Sequence, residues 1–445
     1  MKFTLIKNAT IVNENSTYES DLLLKDCKIE KIDRDISVDS NHVLIDAEGL
    51  LLIPGCIDDQ VHFREPGLTY KANIFTESRA AVAGGITSFM EMPNTVPSAV
   101  TIEKLEEKYA IAQKTSLANY SFYLGTTNSN IEEIKRIDPQ KICGLKIFMG
   151  SSTGDMLVDD PQTLEDVFHY SPTIITTHCE DDPMIQKNLR KYVSEFGETL
   201  PAKFHPLIRS DEACYKSSSF AVELAKKYDS RLHVLHISTE KELELFTNQI
   251  PLKDKRITAE ACIHHLWFTE EDYDRLGNFI KWNPAIKKVS DRNAIVKAIN
   301  ENTIDVIATD HAPHTFEEKS QMYLKSPSGG PLVQYALLAM LDKVKEGKFT
   351  IEKIVEKMCH APAELFQVSK RGFIREGYFA DIVLVDSSKS TTVSKESILS
   401  KCGWSPFEGH TFSNAIDRTF VNGNLVYQRG KIFDNLPGNR LTFDR

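Results

Sequence analysis

The chain has 445 residues, 41% of them hydrophobic and 26% charged, the make-up of an ordinary globular protein long enough for a large core and a second, smaller module. A formal net charge of −10 argues against a nucleic-acid platform, which needs clustered Lys and Arg, and no apolar run approaches the length of a membrane span. The eight cysteines are scattered with no Cys-x-x-Cys pair, and Met1 to Ile6 is too short for a signal peptide, so a reduced, cytoplasmic protein without a disulfide framework is expected.

In chain order, the first fifty residues read as short strands. Phe3–Ile6, Thr10–Val12 and Asp21–Leu24 are separated by polar turns such as Asn13-Glu14-Asn15. The C-terminal stretch is similar, with Asp381–Val385, Arg418–Val421 and Asn424–Tyr427, and Asn422-Gly423 as a hairpin turn. Neither end suffices alone, so residues 1–52 and 372–445 are expected to combine into one small composite β-sandwich. Between them, over 53–371, eight apolar strand-like runs alternate with longer amphipathic segments. The runs are Leu51–Phe63, Gly85–Met92, Tyr120–Gly125, Ile142–Met149, Thr173–Cys179, Arg231–Ile237, Arg256–Phe268 and Ile304–Asp310. That alternation predicts an α/β fold, a (β/α)8 TIM barrel. The competing layout, an open doubly wound sheet, lacks a Gly-x-Gly-x-x-Gly after its early strands. Lys319–Gly330, rich in Ser, Gly, Pro and Lys, reads as a mobile loop.

Polar residues collect at the ends of the runs, where a barrel builds its active site. Asp58, Gln60, His62 and Arg64 alternate along the first run and are expected on one face. Asn94, Lys146, His178, His236, His264, His265, Asp310, His311 and His314 follow on later strands. A single histidine at a strand end is more often a hydrogen-bonded structural residue than a ligand; recurrence on successive strands is what points to a cation such as zinc. Lys146 lies in the apolar stretch Gly144–Met149. Pairing with a buried carboxylate is its plain explanation, but a desolvated lysine has a lowered pKa, and its neutral amine can form a carbamate able to bridge two cations. His233, out of phase with His236, is placed in the structural class. Asp310 fits either a helix N-cap or a metal ligand that also takes a proton.

With these residues in place, the chain resembles the amidohydrolase superfamily and, within it, the dihydroorotases. The resemblance spans nearly the whole chain and rests on His62-Phe63-Arg64-Glu65-Pro66-Gly67, Met92-Pro93-Asn94-Thr95, Gly144-Leu145-Lys146, His178-Cys179-Glu180-Asp181, Cys262-Ile263-His264-His265-Leu266, Lys281-Trp282-Asn283-Pro284 and Asp310-His311-Ala312-Pro313-His314-Thr315. It implies one or two Zn2+ ions held by His62, Lys146 (carbamylated in many members), His178, His236 and Asp310. It implies that Arg64, Asn94 and His314 hold a substrate carboxylate, that Asn283 contacts a pyrimidine ring, and that Asp310 shuttles the proton. The implied reaction is reversible conversion of dihydroorotate to N-carbamoyl-L-aspartate in pyrimidine biosynthesis, by a homodimer acting on a small molecule with no nucleic-acid or membrane partner.

The family pattern is His-x-His, and here it is Gln60-Val61-His62. An amide oxygen is a weaker zinc donor than imidazole. Three outcomes stand open: a weakened exposed metal site, one firmly held metal at His178, His236 and Lys146, or a metal centre lost altogether in a non-catalytic barrel partner. A hydantoinase or allantoinase, acting on rings without a carboxylate, is the other enzymatic alternative.

Overall fold

A computed structural model describes residues 2–38, 41–150, 156–434 and 438–445. Each of the eight apolar runs contains a strand. In barrel order these are Cys56–Val61, Ile86–Glu91, Asn119–Phe122 continued by Leu124–Gly125, Leu145–Phe148, Ile175–His178, Leu232–Val234, Ile257–Cys262 and Val306–Ala308. Neighbours pair in parallel register, Lys146 opposite Thr176 and Phe148 opposite His178. The ring closes where Val61 bridges His311 in parallel. Helices such as Ile74–Ala83, Ile102–Thr115, Asp211–Tyr228 and Val289–Asn300 cover the strands. The first starts with a reciprocal cap, Asn73 accepting from the Thr76 amide and Thr76 Oγ1 accepting from the Asn73 amide. After the sixth strand the crossover shrinks to two 3₁₀ turns, Lys241–Leu245 and Leu252–Asp254. The fold is therefore the expected barrel with a separate, largely antiparallel β region.

That β region is a nine-stranded sheet drawn from both termini. Phe3–Asn13 is one strand rather than two, with a bulge between Ile6 and Ala9. It turns at Glu14 and Asn15, both in left-handed conformation (φ 49° and 58°), as an Asn-rich hairpin prefers. Asn422 and Gly423 (φ 50° and 71°) turn the C-terminal hairpin in the same way. Leu50–Pro54 joins the halves, parallel to Phe3–Asn13 on one side and antiparallel to Ile382–Asp386 on the other.

The run Leu51–Phe63 thus contains two strands, not one. The break is Gly55, whose amide donates to Asp381 O at 2.8 Å. A Cβ there would lie 2.7 Å from Thr87 Cβ and closer still to the rest of that side chain, so only glycine lets the chain leave the sheet and enter the barrel. Gly55→Ala is expected to destabilise the fold by about 1–3 kcal/mol, the usual range for forcing extra volume into a packed interior, as measured by urea unfolding.

Candidate active site

The strand ends enclose a cavity of about 460 Å³ whose lining includes Gln60, His62, Arg64, Lys71, Asn94, Lys146, His178, His236, Asn283, Asp310 and His314. All nine residues singled out as site candidates from the resemblance line this one cavity. Three of the cavity residues, Arg64 (φ 71°), His236 (φ 40°) and Asp310 (φ 47°), have left-handed backbones. Such conformations disfavour a side chain and gather at functional sites.

Asp58 departs from its expected face. The first barrel strand is irregular between Asp58 and Val61, and Asp58 turns away to accept from Thr309 Oγ1 at 2.6 Å. His264 and His265 depart too. The seventh strand ends at Cys262, and both histidines sit on the short helix Ile263–Trp267. There His264 stacks on Trp282 and His265 faces Pro284 O. His311 is structural: its Nδ1 accepts from the Leu332 and Val333 amides, so its Nε2 is the donor to Glu77, 2.9 Å away.

Two pairs of donor atoms face each other. His178 Nδ1 and His236 Nε2 lie 3.0 Å apart. His178 Nε2 is 2.8 Å from Glu180 Oε2, and Glu180 is itself paired with Arg209. Burial would raise the Glu180 carboxyl, but Arg209 and His178 overcome that and hold it at about 2. An ionised Glu180 only accepts, so the His178 proton sits on Nε2 and the bare Nδ1 faces His236 Nε2. Burial pushes both imidazoles below their ordinary range. On the other side of the cavity, His62 Nε2 is 3.2 Å from Asp310 Oδ1, and His62 Nδ1 is 2.7 Å from Asn94 Oδ1. Lys146 is buried, which lowers its ammonium to about 8 against the opposing pull of Asp310. Its charge depresses His62, His178 and His236 alike, so electrostatically it couples to both pairs.

Gln60 presents its amide nitrogen, not its oxygen, to this centre. Nε2 donates to Asp310 Oδ1 at 3.1 Å, and Oε1 takes a weak contact from Cys262 Sγ at 3.7 Å. In this orientation the carboxylate oxygen is met by an amide N–H rather than by a second oxygen.

In the same cavity Arg64 Nε donates to Pro313 O, and its Nη2 is 3.0 Å from His314 Nε2. Burial lowers Arg64 to about 10, which leaves the guanidinium charged at neutral pH. The segment after His314 is irregular, but it is tied down rather than loose. Lys281 Nζ donates to Tyr323 O and Ser326 O, and Lys319 Nζ donates to Lys281 O and Pro327 O. Glycine, serine and proline signalled the missing regular structure; the two buried lysines that capture its carbonyls carry no such local signal.

Beneath the cavity, Asp59, His233 and Glu260 bring ligand-type atoms within 4.8 Å of one another, the one such group of three among the described residues. It has the donors of a metal site. It is also an ionic network: His233 Nε2 lies 3.2 Å from Asp59 Oδ2 and 3.8 Å from Glu260 Oε2. Burial alone would lower His233, but the two carboxylates prevail and raise it to about 9. Glu260 also accepts from the His236 amide at 2.9 Å, so the network braces the strained backbone of a cavity residue. Sequence reasoning placed His233 as structural but gave no role to Asp59, Glu260 or Glu180. Alternation from His178 to Glu180 at a strand end was the one available signal.

Comparison with known proteins agrees with this geometry. The amidohydrolase family model matches residues 204–426, and a dihydro-orotase-like model matches residues 49–242. A dihydroorotase of Methanosarcina acetivorans is 33% identical over 447 residues, covering 96% of this chain and 92% of that protein. An allantoinase of Bacillus velezensis is 30% identical, covering 96% and 94%. Among solved structures, the L-hydantoinase (dihydropyrimidinase) of Arthrobacter aurescens superposes with a TM-score of 0.93 at 26% identity, covering 99% of this chain and all of that one. No helix among the described residues is long and apolar enough to cross a membrane. Fold, cavity and relatives agree: the chain belongs to the amidohydrolase family and is a hydrolase of cyclic amides.

Proposed function

We propose that this enzyme interconverts dihydroorotate and N-carbamoyl-L-aspartate. The observation that carries the reading is the pairing of Arg64 with His314 in the same cavity as Asp310. A ring with both an amide and a carboxylate needs a planar cation at one end and proton-transfer groups at the other. The guanidinium fork suits a carboxylate. Asn283 Oδ1, buried and without a hydrogen-bond partner among the described residues, is suited to accept a ring N–H. Asn94 also lines the cavity, its Oδ1 2.7 Å from His62 Nδ1, and is assigned with Arg64 and His314 to the carboxylate. Gln60 and His62 both contact Asp310 Oδ1, so Oδ2 is the oxygen assigned to take a proton from water and return it to the leaving nitrogen.

The donor set fits zinc. With Zn–N near 2.0–2.1 Å, two imidazole nitrogens 3.0 Å apart can share one ion, and a carbamylated Lys146 would add an oxygen. His62 and Asp310 are the further candidate ligands. A bound metal would polarise the amide carbonyl and supply a nucleophile at neutral pH. Because Gln60 gives its N–H to Asp310, we assign one firmly held ion to His178, His236 and Lys146. Gln60→His is then expected to raise the metal content from about one towards two ions per chain, read by elemental mass spectrometry; an unchanged content would remove this assignment.

We further place the reaction in cytoplasmic pyrimidine biosynthesis and expect a homodimer. The eight unpaired cysteines support a reducing compartment. The allantoinase and hydantoinase similarities favour a second reading, a hydrolase for rings lacking a carboxylate. The deciding experiment assays dihydroorotate, N-carbamoyl-L-aspartate, allantoin, hydantoin and dihydrouracil side by side, with and without added zinc. Preference for the two carboxylate-bearing ligands supports the proposal, and turnover confined to the others overturns it.

A further inference from the structure

Lys71 belongs to none of the motifs above, yet it lines the cavity and is buried. It sits on the turn between the first barrel strand and its helix, with its amide bonded to Leu68 O. Its Nζ lies 2.9 Å from His314 Nδ1 and 3.1 Å from Glu318 Oε1. Four groups therefore surround the His314 ring. Lys71 and Glu318 (Oε2, 3.6 Å) face Nδ1, while Arg64 Nη2 (3.0 Å) and Ser328 O (3.0 Å) face Nε2.

A neutral imidazole carries one N–H, so the contacts must choose between two tautomers. Burial and the nearby Arg64 charge keep His314 neutral. With the proton on Nε2, that N–H donates to Ser328 O and Nδ1 accepts from Lys71; both are at hydrogen-bond distance. With the proton on Nδ1, the only acceptor is Glu318 at 3.6 Å, too far for a hydrogen bond. Lys71 would then point an N–H at an N–H, and Ser328 O would face a lone pair. Only Arg64 favours this second form. The first tautomer satisfies two contacts against one donor–donor approach, Arg64 Nη2 to Nε2 at 3.0 Å, and that unspent guanidinium N–H is what a carboxylate would take up.

We propose that Lys71 is a positioning residue for carboxylate recognition: its ammonium holds His314 in the Nε2–H tautomer, so that the substrate's carboxylate meets an imidazole N–H and a free guanidinium N–H side by side. This rests on the dihydroorotase reading for its substrate, but the tautomer itself does not. In a carboxylate-free ring the device has nothing to grip, so Lys71 adds to specificity rather than to the chemistry at the amide.

The test is nitrogen NMR of protein labelled with 15N in histidine, with His314 assigned by difference against His314→Asn. The wild type is expected to show a protonated Nε2 and a bare Nδ1, and Lys71→Met to lose that preference. Lys71→Arg, which keeps a cationic donor, should retain it. In parallel, Lys71→Met should raise KM for dihydroorotate by about tenfold or more, the loss of one charge-assisted hydrogen bond, with kcat changed much less. A wild-type His314 protonated on Nδ1, or a Lys71→Met spectrum identical to wild type, overturns the proposal, and the wild-type spectrum decides even if the methionine variant does not fold. Should wild type fail to turn over dihydroorotate at all, the functional reading falls, while the spectra still decide what Lys71 does to His314.

Discussion

Replacing Arg64 with alanine is expected to lower kcat/KM for dihydroorotate by about 10²–10³-fold, with most of the change in KM. The figure follows from removing a charged hydrogen-bonding partner and leaving a buried carboxylate unpaired, a loss of about 3–4 kcal/mol. The effect is mainly on binding because a carboxylate remote from the scissile amide is held equally in ground and transition states. Arg64→Lys should recover little, since the ammonium keeps the charge but not the fork that spans Pro313 O and the Nε2 edge of His314. Steady-state kinetics on dihydroorotate and hydantoin separate the outcomes. Equal losses on both substrates would mean that Arg64 supports the fold of the loop, and an unchanged KM for dihydroorotate would remove its carboxylate role.

Lys146→Ala is expected to have the second large effect, on metal rather than on substrate. Losing a group that merely supports a ligand typically weakens metal binding 10–100-fold, so losing a ligand itself should exceed about 100-fold and leave the purified protein nearly free of zinc. Short carboxylic acids should partly restore both zinc and activity by filling the space with an oxygen donor. The native lysine is also expected to gain one carbon dioxide in bicarbonate buffer, increasingly as pH rises through about 8, where burial makes half of its amine neutral; an unmodified lysine would hold its proton until near 10.4. Intact-protein mass spectrometry reads the adduct. Full metal content in Lys146→Ala without added acid would eliminate the carbamate.

Much of this molecule was readable from its sequence because both periodicities are strong. Each of the eight apolar runs holds a barrel strand, and the residues at their ends reach one cavity because parallel strands point the same way. The failures have local causes. Gly55 split a run that looked continuous, because the close approach of Thr87 is invisible until the two segments pack. The seventh run looked like one strand because the helix Ile263–Trp267 is as apolar as the strand before it. Side-chain partnerships were the least legible. Lys71 meets His314 across 243 positions, and Gln60 meets Asp310 across 250. The sequence marked Gln60 as anomalous, but the direction of its amide is set by a carboxylate on the far side of the barrel seam.

The sheet that joins the two termini has a consequence for how this chain emerges from the ribosome. Asn13 Nδ2 donates to Ile374 O across 361 positions, and Leu50–Pro54 receives its second neighbour only when Ile382–Asp386 has been made. Leu50–Pro54, the outer strand of the amino-terminal set, therefore waits through synthesis of the whole barrel with one row of backbone donors and acceptors open to any passing strand, the situation that nascent multi-segment folds resolve slowly and with help.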